Sequence, residues 1–66
     1  MINIGDKIKS ERILRNLSQQ QLAEKLGIIQ NALSRYENNT VRPSYEILIA
    51  IADYFGVTLD YLFGRE

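Results

Sequence analysis

The sequence predicts an all-α domain of five short helices, and three observations carry that expectation. Apolar residues recur at helical spacing, most plainly Leu48, Ile51, Ala52 and Phe55 at i, i+3, i+4 and i+7. Serine or threonine precedes three of the apolar runs, at Ser18, Ser44 and Thr58, and glycine or asparagine follows the runs, the order in which helices begin and end. No strand-like alternation, repeat or low-complexity linker lies between the runs. Sixty-six residues make one domain, 1–66, that buries only about 60% of the surface its unfolded chain exposes. With no cysteine and no histidine, neither a disulfide nor a thiolate or imidazole metal site can staple it. Helix packing must carry the stability, and neither metal nor cofactor is expected.

The first helix, about residues 4 to 15, places Ile4 and Ile8 on one face and stops at Asn16, which tolerates the left-handed conformation of a helix end. Ser18 opens the second. With Gln21 three residues on, it has the capping-box pattern, in which each side chain satisfies a free backbone donor of the other. Leu22, Ala23 and Leu26 form its inward stripe, and Gly27 ends it. A third helix, about 29 to 38, follows after so little chain that the two must meet at a fixed, steep angle. The stretch from Asn38 to Pro43 is rich in turn formers. Ser44 caps the fourth helix and Gly56 closes it. Thr58 caps the fifth, with Val57 and Leu62 placed as a hydrophobic staple, and Gly64 closes the chain of helices.

The formal charge is zero, unlike the basic balance usual in nucleic-acid partners. That average hides a gradient. Residues 1 to 42 hold seven basic and four acidic side chains, a net of +3, whereas residues 43 to 66 hold one basic and four acidic, a net of −3. A dipolar molecule of this kind can approach a phosphate backbone in one orientation. The N-terminus reaches a charge by Asp6, and no stretch approaches the ~20 apolar residues of a membrane span. A cytoplasmic protein without a membrane partner is the expectation.

Function concentrates in the second and third helices. A tight glycine turn between short helices lets one lie across a sugar-phosphate backbone while the other enters the major groove. Ala23 is small where the two cross, Gly27 takes the turn, and Leu22, Leu26, Ile28, Leu33 and Tyr36 are apolar where the pair must rest on the remaining helices. Steps of ~100° along the third helix put Ala32, Leu33, Tyr36 and Glu37 on one side and Gln30, Asn31, Ser34, Arg35 and Asn38 on the other. The outer face is polar and has no acid. Glutamine and asparagine pair bidentately with adenine and arginine with guanine, so these side-chain types suit base edges.

The stretches IGDKIKSERILRNLSQQQLAEKLG, SRYEN, RPS and IADYFGVTLDYLFG span residues 4 to 63, and together they resemble the Cro and lambda-repressor-like helix-turn-helix family, also called the XRE family. The resemblance implies a five-helix domain that binds operator DNA as a dimer, with the third helix in the major groove. It implies base reading by Gln30, Asn31, Ser34 and Arg35. Gln19 would contact a phosphate and brace Gln30, while Asn38, Asn39, Thr40 and Arg42 would sit on the backbone. Arg12 and Glu37 match an inward ion pair of the family, which orients the third helix against the first rather than touching a base.

Two positions depart from that pattern. Asn39 stands where glycine is usual, but asparagine also accepts the left-handed conformation. Ile29 replaces the Ser or Thr that caps the reading helix, a change costing ~0.5 to 2 kcal/mol. Ile28 and Leu33 are spaced to form a hydrophobic staple that holds the entry angle instead. Ile29 itself falls nearer the inner face of the wheel and is expected to pack towards the second helix, its tip near a sugar or thymine methyl.

Other functions have less support. Asp53 and Asp60 flank a glycine turn but have no histidine, cysteine or nearby lysine to share a proton transfer, so an enzyme is not expected. Neutral net charge is compatible with a protein-interaction module in an antitoxin-like or anti-repressor-like role. Tyr54, Tyr61 and Phe63 exceed what a small core needs and form a candidate homodimer patch, or else close the core over the last two helices.

Overall fold

Every helix closes on a left-handed residue. The computed structural model describes residues 3–65, so Met1, Ile2 and Glu66 of the expected domain lie outside the described residues. Its elements are α1 (Ile4–Leu14), α2 (Gln19–Leu26), α3 (Gln30–Glu37), α4 (Tyr45–Phe55) and α5 (Leu59–Leu62), and no strand occurs among the described residues. Asn16, Gly27, Asn39, Gly56 and Gly64 follow them with φ between 57° and 74°. After each helix the same two bonds recur, shown by Gly27 N–H donating to the Glu24 carbonyl and Ile28 N–H to that of Ala23. This is the Schellman arrangement, which satisfies carbonyls that a helix end otherwise leaves free.

Helix starts are less uniform. Ser18 and Gln21 form the reciprocal capping box, and Ser44 and Thr58 accept from the backbone of Ile47 and Tyr61. Asn3 and Ile29 precede α1 and α3 without a side-chain cap bond.

Ile8, Leu22, Ala23, Leu33, Ile51, Ala52, Phe55 and Leu62 form one buried cluster, with Ile28, Tyr36 and Val57 packed on it. Ala23 is nearly inaccessible, as close crossing of α2 and α3 requires. Ile28 and Val57 therefore lie against the same core as their staple partners Leu33 and Leu62.

Ile29 corrects the expectation that it packs towards α2, because it is 71% exposed. Its backbone is extended, with φ −82° and ψ 151°. A wheel angle drawn from helical geometry does not apply to a residue that precedes the helix.

Candidate nucleic-acid interface

α3 is positioned by a buried carboxylate. Glu37, 3% exposed, accepts from Arg12 Nε at 2.7 Å and Nη2 at 3.1 Å, a two-pronged pair in which each guanidinium nitrogen meets its own oxygen. Gln19 Nε2 donates to the same carboxylate at 3.1 Å, and Arg12 Nη1 donates to the Leu17 carbonyl at 2.7 Å. One glutamate thus fastens the C-terminal turn of α3 to α1 and to the first turn of α2. The resemblance had Gln19 bracing Gln30; its amide nitrogen is instead committed to Glu37.

With Leu33 and Glu37 turned inward, Gln30, Asn31, Arg35 and Asn38 are exposed and Ser34 is half-buried. None of these five side chains has a hydrogen bond or ion pair among the described residues. The acid-free face is available to an external partner, and exposed Ile29 adjoins it. Beside it, the capping box uses the Ser18 and Gln21 N–H groups, leaving those of Gln19 and Gln20 as first-turn donors that the helix itself cannot satisfy. Thr40 and Arg42 are exposed in the α3–α4 loop, and a cleft there is lined by Asn3, Ile4, Asn39, Val41 and Arg42.

Asn39 sits differently from its loop neighbours. Its side chain points to α1, accepting from Gly5 N–H at 3.1 Å and donating to Asp6 Oδ1 at 3.2 Å.

A second polar network lies behind α5, and sequence reasoning missed it. Glu11, 7% exposed, accepts from Arg15 Nη1 at 2.7 Å and from the Tyr61 hydroxyl at 2.5 Å. Arg15 also donates to the Phe55 carbonyl at 2.8 Å and stacks over the Phe55 ring. The Tyr61 bond and the Arg15 guanidinium hold the Glu11 carboxyl below its ordinary range; the same bond to a carboxylate raises the Tyr61 hydroxyl. Glu11 and Arg15 at i, i+4 were the available sequence signal. Tyr61 is therefore drawn inward from the candidate dimer patch, with Lys7 over its ring, while Tyr54 and Phe63 each stay 40% exposed.

The helix-turn-helix family model matches residues 8–62, nearly the whole of this arrangement. The chain belongs to the XRE-type helix-turn-helix family. This is a family of DNA-binding transcriptional regulators rather than of enzymes. The chain is 41% identical over 61 residues to the HTH-type transcriptional regulator AnsR of Bacillus subtilis, covering 92% of this chain and 53% of that one. Its fold superposes on the DNA-bound P22 c2 repressor with a TM-score of 0.92 at 24% identity, covering both chains completely. PlcR of Bacillus thuringiensis, solved with the peptide PapR7 and DNA, gives a TM-score of 0.83 at 36% identity over 92% of this chain and 21% of PlcR. The chain spans 32% to 53% of the first curated regulators it matches. Among the described residues no helix is long and apolar enough to cross a membrane.

Proposed function

We propose that this chain binds double-stranded DNA sequence-specifically and acts as a transcriptional repressor, two copies occupying an inverted-repeat operator. The observation that carries the reading is the outer face of α3: four exposed polar side chains and Ser34, no acid, no partners among the described residues, on a helix fixed from behind by Glu37. Gln30, Asn31, Ser34 and Arg35 read base edges. The Gln19 and Gln20 N–H groups, Asn38, Thr40 and Arg42 hold phosphates. Exposed Ile29 at the helix entrance supplies an apolar contact for a thymine methyl. Tyr54 and Phe63, on the acidic half of the chain, are the surface for the second copy.

Duplex binding measured across a salt series tests this. The log-log slope should be near −0.9 for each phosphate neutralised, and selection from random duplexes should return half-sites about 34 Å apart with two-fold symmetry. Affinity independent of salt would leave the protein-interaction role as the better reading. A consensus without symmetry would remove the dimer.

A further inference from the structure

α1 is capped by a residue from the middle of the chain. Its own N-cap, Asn3, makes no side-chain cap bond, although the first N–H groups of a helix need acceptors. Gly5 N–H finds one in Asn39 Oδ1, 34 residues later at 3.1 Å, and Asn39 Nδ2 returns a bond to Asp6 Oδ1 at 3.2 Å. In a capping box two side chains each accept from the other residue's backbone N–H; here a single amide makes both bonds, one to a backbone N–H and one to a carboxylate, and it belongs to the loop that follows the reading helix.

The backbones are pressed together to allow it. A Cβ on Gly5 would meet the Tyr36 carbonyl oxygen, the last turn of α3, closer than real Cβ atoms approach, and would lie 2.6 Å from Asn39 Oδ1. Asn39 itself is left-handed, with φ 61°, and the loop beyond it is held by Thr40 N–H on the Arg35 carbonyl at 3.0 Å. Asn39 is thus fixed both locally and across the molecule, at the point where the chain leaves the reading helix for Thr40 and Arg42.

We infer that Asn39 is a positioning residue for DNA binding, clamping the α3–α4 loop to the N-terminus of α1 so that Thr40 and Arg42 reach the phosphates while α3 lies in the groove. The inference rests on the DNA reading above and changes the part played by Asn39, whose side chain serves α1 rather than the DNA backbone. Glycine at this position would keep the turn but lose the clamp, so the turn and the clamp can be separated experimentally.

Asn39→Gly is the main variant. Asn39→Asp is the second, since it keeps an acceptor for Gly5 N–H but sets a carboxylate against Asp6. Amide hydrogen exchange on the free domain should show Gly5 losing protection in Asn39→Gly and retaining more of it in Asn39→Asp. Binding, measured where both proteins are fully folded, should fall about three- to tenfold on specific and random duplexes alike in Asn39→Gly. The log-log salt slope should become shallower by about one, as for loss of one phosphate contact. Base preference should not change. Unchanged Gly5 exchange overturns the clamp. Lost protection with unchanged affinity and slope makes the clamp structural only and overturns the positioning role. No binding by the unsubstituted domain removes the DNA reading and this inference with it, an outcome distinct from either.

Discussion

Glu37 and Glu11 are the two buried carboxylates among the described residues, and they are held in different ways. Glu37, behind the outer face of α3, takes two bonds from Arg12 and one from Gln19, so three helices meet at a fully enclosed carboxylate. Glu11, behind α5, pairs with its helical neighbour Arg15 and with one long-range donor, Tyr61. The Arg12 side chain is 11% exposed and that of Arg15 is 31%. The α3 side of the molecule is therefore cross-linked through an enclosed ion pair and an amide, while the α5 side is tied by a partly solvated pair and a hydroxyl. The helix proposed to enter the groove has the more enclosed mount.

The largest expected effect breaks the more enclosed mount. Arg12→Met strands Glu37 with a single amide donor and should cost about 3–5 kcal/mol in urea unfolding, the usual cost of leaving a buried charge without its partner. Arg15→Met should cost clearly less, because Glu11 keeps Tyr61 and water reaches the site. Equal losses would remove the distinction between the two networks.

On the binding side, Arg35→Ala should lower specific affinity by about 1–3 kcal/mol and relax one base position. Gln19→Ala should weaken specific and random duplexes together. If both variants act alike on both duplexes, the division between reading and positioning residues fails.

The α5 network should respond to pH at both ends. The Glu11 carboxyl is depressed by the Tyr61 bond and Arg15, so its contribution is present above the unfolded value and is lost as pH falls through the folded one. The Tyr61 hydroxyl is raised by Glu11, so its contribution is present below the unfolded value and is lost as pH rises through the folded one. Tyr61→Phe should be less stable at neutral pH and show a flatter stability profile in both limbs. A parallel displacement of the whole profile would assign the pH dependence elsewhere.

The smallest effect concerns the bare entrance to α3. Because Ile29 is mostly exposed, Ile29→Ser gives up little burial and gains a cap, so thermal unfolding should show a gain of about 0.5–1 kcal/mol. Binding to half-sites with thymine at the facing position should nevertheless weaken. A stability loss would mean that Ile29 packs after all.

Local chemistry made most of the fold legible. Ser18, Ser44 and Thr58 lie directly before their helices, Gly27 and Gly56 directly after, and the four-residue stripe of α4 is wholly buried. The Arg12–Glu37 pair, 25 residues apart, was legible only through the family resemblance. The bond from Tyr61 to Glu11 spans 50 residues and leaves no local trace beyond the Glu11–Arg15 spacing. Asn39 shows both cases: its left-handed turn follows from residue type, whereas its bonds to Gly5 and Asp6 depend on how α1 lies across α3. Ile29 was misplaced because a helical wheel was extended one residue beyond the helix.

If the proposed interface is right, the outer face of α3 and the flanking backbone sites meet DNA while the α4–α5 face does not. Backbone amide shifts recorded while a selected duplex is titrated into the labelled domain test it directly. The largest changes are expected at Gln19, Gln20, Gln30, Asn31, Ser34, Arg35 and Thr40 to Arg42, with no DNA-contact change centred on Tyr61. Changes concentrated on Tyr54, Tyr61 and Phe63, with α3 unmoved, would contradict it.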